Sequence, residues 1–302
     1  MKKNMFRLQE ILVPLDGSGE AESVIPYLRD LAPRFSSRAH ILAVCIGEKT
    51  RRVNRLLEDY INKIVRGLQS DNIKAKAVIR YGIAADKILD FTTKNEIDLI
   101  IMATHGRSGI TRWWMGSVAE KVISEATAPV LLIRSKRPRK TGTTGKLNFL
   151  HKILAPLDGS DIGEAALPYA ETLAVNSGAS ISLLQVVSPP GTVEAGLLEG
   201  PNWRKFVKAM QDAGKEYLKN IAERLNAKGI KSAYDVVTGD PADKIVEYAD
   251  DKSVSLIAMS THGRTGLTRW VLGSIADKVL HGASIPILLV RSPKMVIPKP
   301  RG

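Results

Sequence analysis

The chain is written twice, and that constrains its fold more than any other feature. Ile11-Leu-Val-Pro-Leu-Asp-Gly-Ser18 returns as Ile153-Leu-Ala-Pro-Leu-Asp-Gly-Ser160, 142 residues on, and Pro26-Tyr27 returns as Pro168-Tyr169 at the same offset. Further along, Ala103-Thr-His-Gly-Arg-Ser-Gly-Ile-Thr-Arg-Trp-Trp-Met-Gly-Ser117 returns as Ser260-Thr-His-Gly-Arg-Thr-Gly-Leu-Thr-Arg-Trp-Val-Leu-Gly-Ser274, now 157 residues on. A unit of this length is a whole domain, so the pattern is a tandem duplication and not a solenoid. The two offsets differ by 15 residues, which belong to the second copy and fall after Val186, around Ser188–Asn202, where proline and glycine predict a loop. The expected organisation is a first domain over residues 1–135, a linker over 136–149 and a second domain over 150–302.

Within the first copy, apolar runs alternate with helically spaced stretches. Strands are expected at Ile11–Pro14, His40–Ile46, Lys74–Arg80, Asp98–Ala103 and Val130–Arg134. Helices are expected at Glu20–Phe35, Arg51–Gln69, Ala84–Asn95 and Ser117–Ala126. Strand and helix in strict alternation call for a parallel sheet covered on both faces. The fold class is therefore α/β, two tandem doubly wound domains, each a five-stranded parallel sheet in the order 3-2-1-4-5 flanked by helices. The last strands, Val130–Ile133 and Ile287–Val290, are expected at sheet edges, where unpaired strands invite pairing.

Composition narrows the setting. With 302 residues, 44% hydrophobic and 25% charged, the chain suits two soluble domains. No apolar run approaches the ~18 residues of a spanning helix, and the first residues lack the apolar core of a secretory leader. The single Cys45 fits a reducing compartment and reads as a small buried hydrophobe. A cytoplasmic protein without a membrane span is expected. The net charge of +13 lies mostly in residues 1–140, with 25 Lys+Arg against 15 Asp+Glu, partly in the run Arg134–Lys140. Without zinc-ligand spacing, an aromatic RNA-binding motif or a basic zipper, that run reads as a solvated linker and no specific nucleic acid is expected. Attraction for anionic ligands remains.

In doubly wound sheets, ligands sit beyond the carboxyl ends of the strands where the order reverses, here between the first and fourth strands. The most closely repeated residues follow those two strands: Asp16-Gly-Ser18 and Thr104-His105-Gly106 to Gly116-Ser117, then Asp158-Gly-Ser160 and Thr261-His262-Gly263 to Gly273-Ser274. Ser117 and Ser274 are placed as N-caps, and the free N–H groups and dipole of the helices they begin make an anion site. The plainer alternative is that Gly116-Ser117 only starts a helix. Asp16 and Asp158 read either as caps of the next helix or as acceptors for ribose hydroxyls or an adenine amino group.

At these residues the chain resembles the universal stress protein family in its tandem two-domain form, over nearly its whole length. The nucleotide-binding subgroup carries Gly-x-x-Gly, nine residues, Gly-Ser/Thr; Gly106 with Gly116-Ser117 and Gly263 with Gly273-Ser274 match its later positions. The first glycine is replaced by Ala103 and Ser260, which weakens binding if that position needs a positive φ. The resemblance implies ATP, ADP or AMP as ligand, with Mg²⁺ carried by the phosphates and no metal site of the protein's own. Asp16 and Asp158 would then meet the adenosine, Val44 and Val186 would offer backbone to adenine, and Gly106, Gly116, Ser117, Gly263, Gly273 and Ser274 would hold phosphates. Arg107 and Arg264 reach a phosphate or are solvated. His105 and His262 are turn residues ahead of any catalytic role, and no catalytic residue is named. The resemblance also implies an internal pseudo-twofold dimer through the last strands, beside a possible homodimer.

There is no P-loop, no protein-kinase motif set and no dinucleotide fingerprint after the first strand. The expected function is a nucleotide-dependent stress-response or signalling module acting through an unknown protein partner. A slow ATPase or autophosphorylating enzyme, and a dimerising scaffold that binds no nucleotide, are the alternatives.

Overall fold

The computed structural model describes residues 6–45, 51–104, 115–134, 147, 149–188, 201–261 and 272–292, with backbone alone for 51–54 and 201–203. The chain divides into two compact units, Met1–Phe149 with Pro286–Arg291, and Leu150–Ile285 with Ser292–Gly302.

The first unit runs β1 (Glu10–Leu15), α1 (Gly19–Glu22), α2 (Ile25–Phe35), β2 (Arg38–Cys45), α3 (Arg51–Ser70), β3 (Lys74–Tyr81), α4 (Ala84–Lys94), β4 (Leu99–Ala103), α5 (Ser117–Glu125) and β5 (Val130–Ile133). Its parallel strands stand in the order β3-β2-β1-β4-β5, as the alternation implies. The central strands β1, β2 and β4 are almost wholly buried because helices cover both faces: Ile11, Leu12, Ile41, Leu42, Ile100 and Ile101 expose nothing to solvent.

Two expectations are corrected. The helix read as Glu20–Phe35 is two helices, separated at Ser23-Val24. Pro26 has no N–H to continue the α1 ladder and instead occupies the first turn of α2, whose Leu28 N–H returns to the Val24 carbonyl. Nor is β5 an edge. Its second side pairs antiparallel with β10 (Ile287–Val290), the strand that ends the second repeat yet belongs to the first unit, in the register Ile287–Leu132, Leu288–Leu131 and Leu289–Val130. Arg291, just past β10, donates to the Ser124 carbonyl at 3.3 Å.

The second unit runs β6 (Lys152–Pro156), a 3-10 turn (Gly163–Ala166), α6 (Leu167–Ser177), β7 (Ser180–Val187), α7 (Pro201–Ala227), β8 (Ser232–Thr238), α8 (Pro241–Asp251), β9 (Leu256–Ser260) and α9 (Ser274–Gly282). Its parallel order β8-β7-β6-β9 reproduces the first four positions of the first unit. Of the extra 15 residues expected around Ser188–Asn202, residues 189–200 lie outside the described residues, while Pro201 and Asn202 already begin α7. Among the described residues no helix is long and apolar enough to cross a membrane.

Candidate functional site

In each unit the first strand pairs with the second on one side and the fourth on the other, so the order reverses between β1 and β4, and between β6 and β9. Asp16 follows β1 directly and Asp158 lies two residues past β6. Across the reversal, the Gly116 N–H donates to the Thr104 carbonyl at 2.9 Å and the Gly273 N–H to the Thr261 carbonyl at 2.9 Å. These paired bonds fix the start of α5 beside the end of β4, and the start of α9 beside the end of β9.

The serines are not the caps. Gly116 (φ −64°, ψ 141°) and Gly273 (φ −60°, ψ 145°) hold the extended cap conformation, and their carbonyls accept from Glu120 and Asp277. Ser117 and Ser274 are the first helical residues. A glycine cap has no side-chain acceptor, and neither helix start has a side-chain cap bond. The first-turn N–H groups have no intrahelical partner and lie at the positive end of the helix dipole.

Glycine at 116 is not required by the backbone: its φ is ordinary, and among the described residues an added Cβ would meet only the Thr104 carbonyl oxygen, at a comfortable 3.6 Å. The replaced glycines are answered too. Ala103 and Ser260 are the last residues of β4 and β9, buried and extended, so the position demands no positive φ. His105, Gly106, Arg107, His262, Gly263 and Arg264 lie outside the described residues.

Asp16 is not a helix cap but the support of one. Its Oδ1 accepts from the Ser18 N–H at 2.9 Å and the Ser18 hydroxyl at 2.6 Å, and Ser18 caps α1 by accepting from Ala21 N–H at 3.1 Å. Asp158 repeats this with Ser160 at 3.0 and 2.7 Å, and the Ser160 hydroxyl accepts from Gly163 N–H at 3.0 Å. The carboxylates are thus fixed by their own turns, at the ends of β1 and β6. Val44 and Val186 lie near the carboxyl ends of β2 and β7, half-buried, in register with Arg80 and Val237. Cys45, expected to be buried, is half-exposed at the end of β2.

Sequence reading passed over the neighbours of the acidic turns. In the second unit the Tyr217 hydroxyl donates to Glu164 Oε1 at 2.8 Å, and Arg224 approaches Glu164 Oε2 at 3.7 Å. Burial, then the Glu164 and Asp158 carboxylates, push the Tyr217 phenol well above its ordinary range. In the first unit burial, with Glu22 and Asp16, does the same to Tyr60. The signal was available: Glu22 returns as Glu164 and Tyr60 as Tyr217, at the two repeat offsets. An aromatic at helical spacing reads as core, which hid it.

Fold and site define a tandem doubly wound α/β protein in which each repeat brings an acidic turn and a glycine-capped helix start to the strand ends where its order reverses. The profile of the universal stress protein family matches residues 7–134 and 150–291, and the chain belongs to that family. Universal stress protein MJ0531 of Methanocaldococcus jannaschii is 35% identical over 147 residues, covering 49% of this chain and 85% of that protein. Universal stress protein YxiE of Bacillus subtilis is 32% identical over 149 residues, covering 47% of this chain and 100% of that protein. Among solved structures, a universal stress protein from Archaeoglobus fulgidus has a TM-score of 0.71 at 20% identity, covering 95% of this chain and 98% of its own, a likeness of fold.

Proposed function

We propose that each repeat binds one adenine nucleotide, ATP, ADP or AMP, in the crevice between its acidic turn and its open helix start. Binding serves a stress-response or signalling output delivered through a protein partner. The observation that carries the reading is the pair of glycine-capped helix starts. Gly116 sits where the fold would accept a side chain, and its absence lets an anion reach the bare amides of α5. The donor set fits phosphate, and Asp16 or Asp158 opposite suits the hydroxyl or amino donors of adenosine. Ser117 and Ser274, on the first turn, can donate to phosphate oxygens. A divalent ion would ride on the phosphates and offset their charge.

The reading is tested by quantifying nucleotide released from denatured purified protein, then by calorimetry with ATP and Mg²⁺. Two sites are expected in the native chain. Gly116→Val fills the space in front of α5 and leaves one. Two sites of unchanged affinity in that variant, or no binding in either chain, would overturn the reading. Turnover measured on the same samples separates a binding module from an ATPase; rates near ordinary kinase values (~1–100 s⁻¹) would contradict a signalling role without rapid chemistry.

A further inference from the structure

The structure assigns Tyr217 and Arg224 as positioning residues for Asp158, forming a clamp that the second repeat has and the first lacks. The assignment rests on the nucleotide reading above. Tyr217 and Arg224 lie seven residues apart on α7, two turns along one face. They bracket one carboxylate: the tyrosine hydroxyl bonds one oxygen of Glu164 and the guanidinium stands beside the other. Glu164 is in the 3-10 turn, directly after Gly163. Gly163 is in turn pressed against Asp158, so closely that a Cβ there would lie 2.3 Å from Asp158 Oδ1. The turn cannot shift without moving the carboxylate, and α7 holds the turn.

The first repeat keeps the residues nearest the site but not the clamp. Tyr60 stands where Tyr217 does and lies near Glu22, the counterpart of Glu164, yet its hydroxyl reaches no partner at hydrogen-bond distance. Gly67 stands where Arg224 does and has no side chain to offer. Ala21 replaces Gly163, and the turn is α-helical instead of 3-10. The second site is therefore organised before its ligand arrives by a contact from α7 that, among the described residues, the first repeat does not repeat. Preorganisation lowers the ordering cost of binding, so adenosine recognition in the second repeat depends on α7.

The test is a double-mutant cycle in the full chain carrying Gly116→Val, so that the second site alone is titrated, with ATP affinity read by displacement of a fluorescent ATP. Tyr217→Phe removes only the hydroxyl and is expected to weaken ATP about fivefold, the scale of one hydrogen bond. Asp158→Asn weakens ATP by itself, and adding Tyr217→Phe to it costs nothing further, because the tyrosine acts through the aspartate. Arg224→Gln, which leaves the hydroxyl in place, follows the same pattern and stands in should Tyr217→Phe misfold. Unchanged affinity in Tyr217→Phe, or losses that simply add to that of Asp158→Asn, would overturn the clamp while leaving the nucleotide reading intact. Failure of the parent chain to bind ATP would overturn both.

Discussion

At Gly163 and His40 the two repeats have taken different residues for the same places. Gly163 is glycine because the Asp158 carboxylate occupies the volume of a Cβ; its counterpart Ala21 tolerates one because the first turn coils as an α-helix. Gly163→Ala is expected to destabilise the chain by about 1–3 kcal/mol, as overpacking does, and to weaken the second site along with it. Urea unfolding beside ATP titration checks both, and an unchanged midpoint would contradict the packing. His40, replaced by Ser182 in the second repeat, is 2% exposed, with Nε2 2.5 Å from Glu10 Oε2, its ring edge-on to Phe91 and Nδ1 without a partner. Burial holds its pKa below the ordinary value, with Lys76 and Arg38 acting the same way and the Glu10 hydrogen bond opposing. The folded state therefore prefers the neutral ring. Its contribution is complete above the unfolded pKa of about 6.5 and declines as pH falls from there toward the folded value. Stability of the native chain should drop between pH 7 and 5 more steeply than that of His40→Ser; parallel profiles would show that His40 is not the group responsible. The sequence made Asp16, Asp158, Gly116 and Gly273 visible because repetition marks them. It did not show that the cap is the glycine and not the serine, since that depends on where φ and ψ turn helical, one residue apart.

Between elements, the repeats preserve contacts while changing chemistry. The Asp98 carboxylate accepts from Gln9 and Glu10 N–H at 2.7 and 2.9 Å and so pins the head of β1; at the same place Ser255 accepts from His151 and Lys152 N–H at 3.2 and 3.0 Å. More telling is an inverted ion pair. Arg29 on α2 meets Asp71 just after α3 at 2.8 Å, and the corresponding residues on α6 and after α7 are Glu171 and Lys228, bridged with the signs exchanged. The geometry is kept and the polarity is free, as expected of a pair half in solvent, worth about 0–1 kcal/mol. Arg29→Glu alone should destabilise slightly by setting two acids together, and adding Asp71→Lys should restore stability by recreating the second repeat's arrangement. Thermal unfolding of the two variants decides it, and a double variant no more stable than the single would refute the equivalence. Strand and helix order was legible because buried parallel strands are apolar on both faces. The break between α1 and α2 was not, because the apolar spacing runs on across it, and the break falls just ahead of Pro26, which takes the first turn of α2.

For the chain as a whole, the consequential strand is β10. Val130–Ile133 and Ile287–Val290 are apolar at every position, which tells that both faces of each strand are covered and nothing about which strand lies alongside. Hydrogen-bonded neighbours are chosen through backbone groups that every residue carries alike, so periodicity left the partner open; the resemblance supplied it, and the meeting of the last strands is the antiparallel pair of β5 with β10. The first unit therefore depends on a segment more than 150 residues beyond its own last strand. A chain ending at Ile285 removes β10 and uncovers the Val130–Leu132 side of β5, an apolar strand with unpaired N–H and C=O groups. That chain is expected to self-associate through β5, giving a higher sedimentation coefficient that rises with concentration, while the native chain run in parallel lacks that added, β5-mediated association. If the shortened chain associates no more than the native one, β5 does not need β10 to cover it, and the pairing would be an accessory to the first unit instead of part of its sheet.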